Sequence, residues 1–298
     1  MFKKGISEEF VQALKKWNHW EEIIRDRDLF VAIRDESINV YFQGCSLFKI
    51  SCDGELSLET HYKYLVRPNL ENPYLSWVGD TPPVDDLGQT ILTKTFDIAS
   101  LKKSSRWYAE PEKAGLHQIL KYNDNIVDLE VVLSHKSDDE ATGKDWEGKS
   151  RRVADRIDFA AVQKKDGLPF IVFFEAKRFA NPELRSRKPE PPVVGQIRKY
   201  ESFMQKHRSE METSYRRVCQ NLVDLGLPNR YDSRVKEVAE SPERLAIDPE
   251  VRLVVFDFDE DQRVGKIWKE HKKKLSDHLG NRLLLKGSPS EFKSGISK

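Results

Sequence analysis

Residues 168–177, LPFIVFFEAK, form the most apolar stretch of the chain, and the run ends in two opposite charges separated by one alanine. A short aromatic and β-branched run of this kind reads as a buried strand. Side chains two apart in a strand point to the same face, so Glu175 and Lys177 project together while Ala176 faces the other way. Burying both charges without partners is costly. They need each other or a third charge, and a bound divalent cation would supply one.

The preceding apolar run, RIDFAAV (156–162), is a second strand, and Lys165-Asp166-Gly167 makes the turn between the two. The strands are then antiparallel neighbours. Asp158 lies nine residues before Gly167 and Glu175 eight after it, which brings the two acids near each other across the pair. Two carboxylates converging on one sheet face make a hard-oxygen site suited to Mg²⁺ or Mn²⁺. Lys177 beside them can hold a water or neutralise phosphate charge. Downstream, GQIRKY (195–200) places Gln196 and Tyr200 four apart on one face of a predicted helix. Gln196 could hydrogen-bond a metal-bound water or pack near Lys177, and Tyr200 could contact a phosphate or orient another side chain.

The remaining pattern surrounds this pair with mixed elements. Residues 7–25 carry Phe10, Leu14, Trp17 and Ile24 at helical spacing. LFVAIR (29–34), INVYF (38–42) and LFKIS (47–51) read as short strands, with a further strand over 60–66. A Pro-, Gly- and Asn-rich loop covers 68–90, and a helix lies around 94–103. From 111 the order is helix (111–122), strand (126–133), polar loop (134–150), the two strands above, a Pro- and Arg-rich loop, helices over 193–208 and 210–225, strand 251–258 and a Lys-rich helix over 261–279. The expectation is an α/β (α+β) chain: an N-terminal helix and small antiparallel sheet over 1–105, a mixed sheet flanked by helices over 106–285, and a loose tail over 286–298.

Composition narrows the classes. Charged residues are 33% and apolar ones 38% of 298, which fits a globular chain with a solvated surface. The net charge of +1 creates no global field toward nucleic acid or anionic membrane. Three cysteines, Cys45, Cys52 and Cys219, are too few and too scattered for a disulfide framework or a zinc site. No apolar run approaches the ~20 residues of a membrane span. A cytoplasmic location is expected.

Asp158, Glu175-Ala176-Lys177 and Gln196-x-x-x-Tyr200, in that order, resemble the PD-(D/E)xK nuclease superfamily, in the RecB-like branch marked by a QxxxY helix. The resemblance covers about residues 108–260. It implies a restriction-endonuclease-like fold and metal-dependent hydrolysis of phosphodiester bonds, most often in DNA, with RNA still open, in phage defence, restriction or repair. It implies Asp158 and Glu175 as ligands of Mg²⁺ or Mn²⁺, the Ala176 carbonyl as a further ligand, and Lys177 as the catalytic lysine. An upstream acid completes the family site. Glu112, Asp128 and Glu130 all qualify, and Glu130 is preferred. Asp158 follows isoleucine here, where the family often has proline.

Other readings compete. Glu175 with Lys177 could be an ordinary salt bridge, and Asp158 a partner of Arg152 or Arg156. Arg185, Arg187 and Lys188, with Lys199 on the following helix, could grip backbone phosphates. The 272–274 lysines read as a solvated helix face. His117, His135 and His271 are scattered. LVVFDFDED (253–261) resembles a phosphatase nucleophile motif through Asp257 and Asp259, but about forty residues remain after it. A non-catalytic binding module on the same fold is the other alternative. The N-terminal region could bind a partner, mediate homodimerisation or complete the core.

Overall fold

The computed structural model describes residues 2–67, 88, 90–93, 95–133, 143–144, 150–151, 155–227 and 232–294. His135, Arg152 and most of the expected loops at 68–90 and 134–150 lie outside these residues. The chain is mixed α/β, with a four-stranded antiparallel sheet and a six-stranded mixed sheet flanked by helices.

The first helix, α1 (Glu8–Lys16), starts where Ser7 accepts a hydrogen bond from Phe10 N, and it buries Phe10, Val11 and Leu14. It stops at Trp17, which turns extended, and α2 (Trp20–Arg25) follows. The single helix expected over 7–25 is therefore two. Trp17 and His19 leave the helical path to pack on Phe96, with ring centroids at 5.5 and 4.9 Å. Strands β1 (Phe30–Ile33), β2 (Ser37–Phe42), β3 (Cys45–Asp53) and β4 (Glu55–Glu59) form the first sheet in that order. Gly54, at φ 76°, makes the tight turn into β4, so the last strand comes earlier than 60–66. Residues 62–64 form a 3-10 turn instead, with His61 accepting from Lys63 N. Asp97 caps α3 (Ile98–Ser105), which sets its start.

The second sheet begins after α4 (Pro111–Lys121), with Pro111 in the first turn. Strand β5 (Ile126–Leu133) pairs antiparallel with β8 (Asp155–Lys165), and β8 with β9 (Leu168–Arg178). A two-residue pair, β6 (Gly143–Lys144) with β7 (Ser150–Arg151), lies within the expected polar loop. Asp166 and Gly167 both take positive φ, the geometry a two-residue hairpin requires, and Lys165 pairs with Leu168. Helices α5 (Pro192–Lys206), α6 (Arg208–Asp224) and α7 (Ser233–Glu240) follow. Then β10 (Ala246–Ile247) and β11 (Arg252–Phe256) pair parallel with β9. The Lys-rich helix is divided into α8 (Glu260–Val264) and α9 (Lys266–Leu279) at Gly265. The parallel edge strand β12 (Leu283–Leu285) ends the sheet, whose order is β12-β11-β9-β8-β5.

Alternation along β9 divides the core. Ile171 and Phe173 join a large cluster that also holds Phe10, Ile38, Val40 and Tyr215, while Val172, Phe174 and Ala176 join a second cluster with Leu116, Ile119 and Phe292. The large cluster runs without interruption from the first 105 residues into the second sheet, so packing shows no boundary near 105. Asp128 locks the two parts together. It is fully buried, 2.8 Å from Lys4 Nζ and 2.5 Å from Arg34 Nη1, and it accepts from Tyr215 OH at 3.0 Å. Burial alone would raise this carboxyl, but Lys4 and Arg34 outweigh it and hold the group below its ordinary value. The tail also departs from expectation. Phe292 and Ser294 are buried, with Ser294 N donating to Asn123 and Phe292 packing edge-on to Phe159 and Phe174.

Candidate active site

The apolar half of β9 drives its C-terminal charges under cover. Glu175 is 1% and Lys177 8% exposed, on the face of the large cluster. Lys177 Nζ lies 2.9 Å from Glu175 Oε1 and 2.8 Å from Glu183 Oε2. The salt bridge exists, but it is a buried one, where desolvation offsets much of the attraction. Glu175 Oε2 is buried without a hydrogen-bond partner among the described residues.

Alternation sets Asp158 on the face of Ala160 and Val162, opposite Glu175 across the β8–β9 pair, but the strand is irregular there. Ala160 and Val162 pack in the large cluster and Phe159 and Ala161 in the second, but Ile157 returns to the large cluster out of turn. The facing strand breaks its own pattern at Glu130, whose φ is +48°. At this irregular point the Asp158 carboxylate turns along the sheet and accepts the Ala176 amide hydrogen at 2.7 Å. Burial pushes the Asp158 carboxyl up to about 6, against the opposing pull of Lys177 and the Ala176 amide. Glu175 is pushed well above its ordinary value, first by burial and then by the charge of Asp158. Lys177 would be lowered by burial, yet Glu175, Asp158 and Glu183 together hold it above its ordinary value. The three groups feel one another, and both acids carry an unrelieved electrostatic cost.

Helix α5 closes the site. Gln196 Nε2 donates to Tyr200 OH, and the Tyr200 hydroxyl donates to the Arg156 carbonyl at 2.7 Å. Gln196 Oε1 is buried without a hydrogen-bond partner among the described residues. Burial, then Glu175 and Asp158, raise the Tyr200 hydroxyl. Tyr200 is 1% exposed and committed to β8, so it pins the helix to the strand and does not present its hydroxyl to a phosphate.

The three upstream acids separate. Asp128 belongs to the Lys4 and Arg34 cluster. Glu130 faces Arg156 at 3.0 Å. Glu112 accepts from Arg178 N at 2.9 Å and from Asn181 Nδ2 at 2.8 Å, and its charge acts on Asp158 more strongly than that of Glu130. Glu183 was not foreseen from the sequence. The only local signal is Asn181-Pro182, an Asx turn in which Asn181 Oδ1 accepts from Glu183 N.

The basic residues of the loop also sort differently from expectation. Arg185 lies over the rings of Phe179 and Trp268, at 4.9 and 5.6 Å, and donates to the Phe179 and Asn181 carbonyls. It braces the loop and is not free to grip phosphate. Lys274 donates to the Ser186 carbonyl at 2.8 Å, so it too supports the loop where a solvated face was expected. Arg187, Lys188 and Lys199 are exposed. In the phosphatase-like stretch, Asp257 pairs with Arg178 and Asp259 caps α8, so neither is poised as a nucleophile. His117 packs edge-on to Phe42 at 5.7 Å, and the three cysteines are free.

Among the described residues, no group of three or more His, Cys, Asp or Glu side chains comes together as a metal cage. A two-carboxylate set does fit a hard divalent cation. It offers a buried oxygen that lacks a partner among the described residues, two carboxyls held high by burial, with the charge of Asp158 raising Glu175 further, and the Ala176 peptide between them. Among the described residues, no helix is long and apolar enough to cross a membrane. No protein-family model, curated protein or solved structure matches this chain.

Proposed function

We propose that the chain is a metal-dependent nuclease that hydrolyses phosphodiester bonds, with DNA as the favoured substrate. The observation that carries this reading is the buried Glu175 oxygen, without a partner among the described residues, beside Asp158 and the Lys177 ammonium. Asp158, Glu175 and the Ala176 carbonyl would hold Mg²⁺ or Mn²⁺. When bound, such an ion acidifies a coordinated water and stabilises charge on a phosphate.

The protein's own groups do the rest. Lys177, kept protonated by its acidic neighbours, sets a positive charge where a phosphate oxygen becomes more negative. Glu183 anchors that ammonium from the loop side. Tyr200, held by Gln196 on the same helix, fixes α5 against β8, which keeps the acids out of bulk water and so strengthens each electrostatic contact. Participation in restriction, phage defence or repair belongs to the same proposal.

Purified protein incubated with plasmid, linear and single-stranded DNA and with RNA, with and without Mg²⁺ or Mn²⁺, tests the reading. Cleavage that requires the ion and vanishes in Asp158→Asn supports it. Absence of cleavage on all four substrates with either ion defeats it. The two-acid set also favours one second reading, a binding module that does not cut. Calorimetry with Mn²⁺ alone separates the two readings, since a module that has abandoned the chemistry has no need of the ion.

A further inference from the structure

Two segments of the N-terminal half meet at a surface built from rings and cations. HYKYLVR (61–67) and KKSSRWY (102–108) contain no acid. Their exposed side chains are His61, Tyr62, Arg67, Lys103, Arg106, Trp107 and Tyr108, with no exposed aliphatic among them. Tyr62 is 74% exposed and Trp107 62%. Rings left this open give up the favourable burial of a large apolar area.

The arrangement is fixed rather than loose. Ser104 Oγ donates to the Lys63 carbonyl at 3.2 Å and ties the two segments together. Tyr108 packs edge-on to Tyr64 at 5.9 Å, and Lys63 Nζ lies 4.9 Å from one ring and 5.0 Å from the other. Among the described residues, the acids that flank the two segments are engaged elsewhere, Glu59 with Lys49 at 3.5 Å and Glu110 with Lys113 at 3.9 Å. Rings interleaved with cations that no described acid neutralises match unpaired bases joined by phosphates. A duplex keeps its base faces stacked inside and offers such rings nothing to stack on.

We propose that this surface is a stacking platform for single-stranded nucleic acid, with bases on Tyr62, Trp107 and Tyr108 and phosphates on Lys63, Lys103 and Arg106. A short stretch of chain joins the platform to the candidate active site. Tyr108 precedes Glu112 by four residues, a span of at most about 14 Å, and Glu112 holds the Arg178 amide next to Lys177. Binding itself does not rest on the nuclease reading, because it needs neither the ion nor Lys177.

The test is fluorescence anisotropy of a fluorescein-labelled oligothymidylate of about 20 nucleotides, and of a duplex of equal length, with full-length protein in EDTA. The wild-type chain is expected to prefer the single strand, with affinity falling steeply with salt. Trp107→Ala and Tyr62→Ala, both at open positions, are each expected to lose about tenfold in single-strand affinity, at unchanged circular dichroism. Stronger binding to duplex, or wild-type affinity in both ring variants, overturns the proposal. So does a wild-type dimer in sedimentation that Trp107→Ala dissolves without any strand binding, since the rings would then be a contact between copies. Strand binding without cleavage would sink the nuclease reading alone, and cleavage without platform-dependent binding would sink the platform alone.

Discussion

Asp158 Oδ2 accepts the backbone hydrogen of Ala176 at 2.7 Å, so one acid of the site fastens the strand that carries the other. The two halves of that role can be separated. Asp158→Asn keeps an acceptor for the amide and removes the charge, whereas Asp158→Ala leaves a shielded N–H without a partner. The alanine variant is expected to lose about 1–3 kcal/mol relative to the asparagine variant, read by urea denaturation. Both are expected to lose cleavage. Equal stability of the two variants would mean that the hydrogen bond contributes nothing.

The raised carboxyls make stability depend on pH in a definite direction. An acid whose pKa is higher in the folded than in the unfolded chain binds protons more tightly when folded. Its contribution is complete below the unfolded value near 3.8 and is lost as pH rises through about 6 for Asp158. Glu175 adds to the same trend. The melting temperature of the apo chain is therefore expected to fall between pH 4 and pH 6 from this pair. Millimolar Mn²⁺ at pH 7.5 should raise it again, and Asp158→Asn should abolish the Mn²⁺ effect. A Mn²⁺ shift that persists in Asp158→Asn would place the ion elsewhere.

Lys177 is held by two carboxylates, and the more exposed one can be removed without touching the acids of the site. Glu183→Gln takes away a charge that keeps the ammonium protonated. If cleavage needs a charged Lys177, the alkaline limb of its pH–rate profile should move to lower pH in this variant. Lys177→Ala should reduce the rate by about 10²-fold or more with the fold retained by circular dichroism. A Lys177→Ala enzyme that cuts DNA at the wild-type rate would remove the lysine from the mechanism.

Asp128 tests the single core. Asp128→Asn leaves Lys4 and Arg34 facing each other in a dry site, at an expected loss of about 3–5 kcal/mol. One cooperative unfolding transition should shift as a whole. Two separated transitions, with only the first affected, would show that the N-terminal part folds by itself.

What could be read in advance was local or periodic. The strands from 126 to 178 announce themselves by apolar runs, and Asp166-Gly167 fixes their register, so the meeting of Asp158 with Glu175 follows from counting. The roles that sequence reading missed depend on distant partners. Asp128 looks like any strand acid until Lys4 and Arg34 arrive from far upstream. Arg185 reads as a phosphate grip because nothing nearby reveals that Trp268 will lie beneath it. Leu283–Leu285 is too short to declare itself and becomes a strand only by pairing with β11. Gln196 and Tyr200 were placed on the correct helical face, but the hydroxyl's use on the Arg156 carbonyl is a tertiary fact.

Phe292 sits against Phe159 and Phe174, the two rings behind the strands that carry Asp158 and Glu175. During synthesis that wall stays open until residue 292 has left the ribosome. The strands that carry Asp158 and Glu175 therefore gain this cover only after every other strand of their sheet, β12 included, has been made.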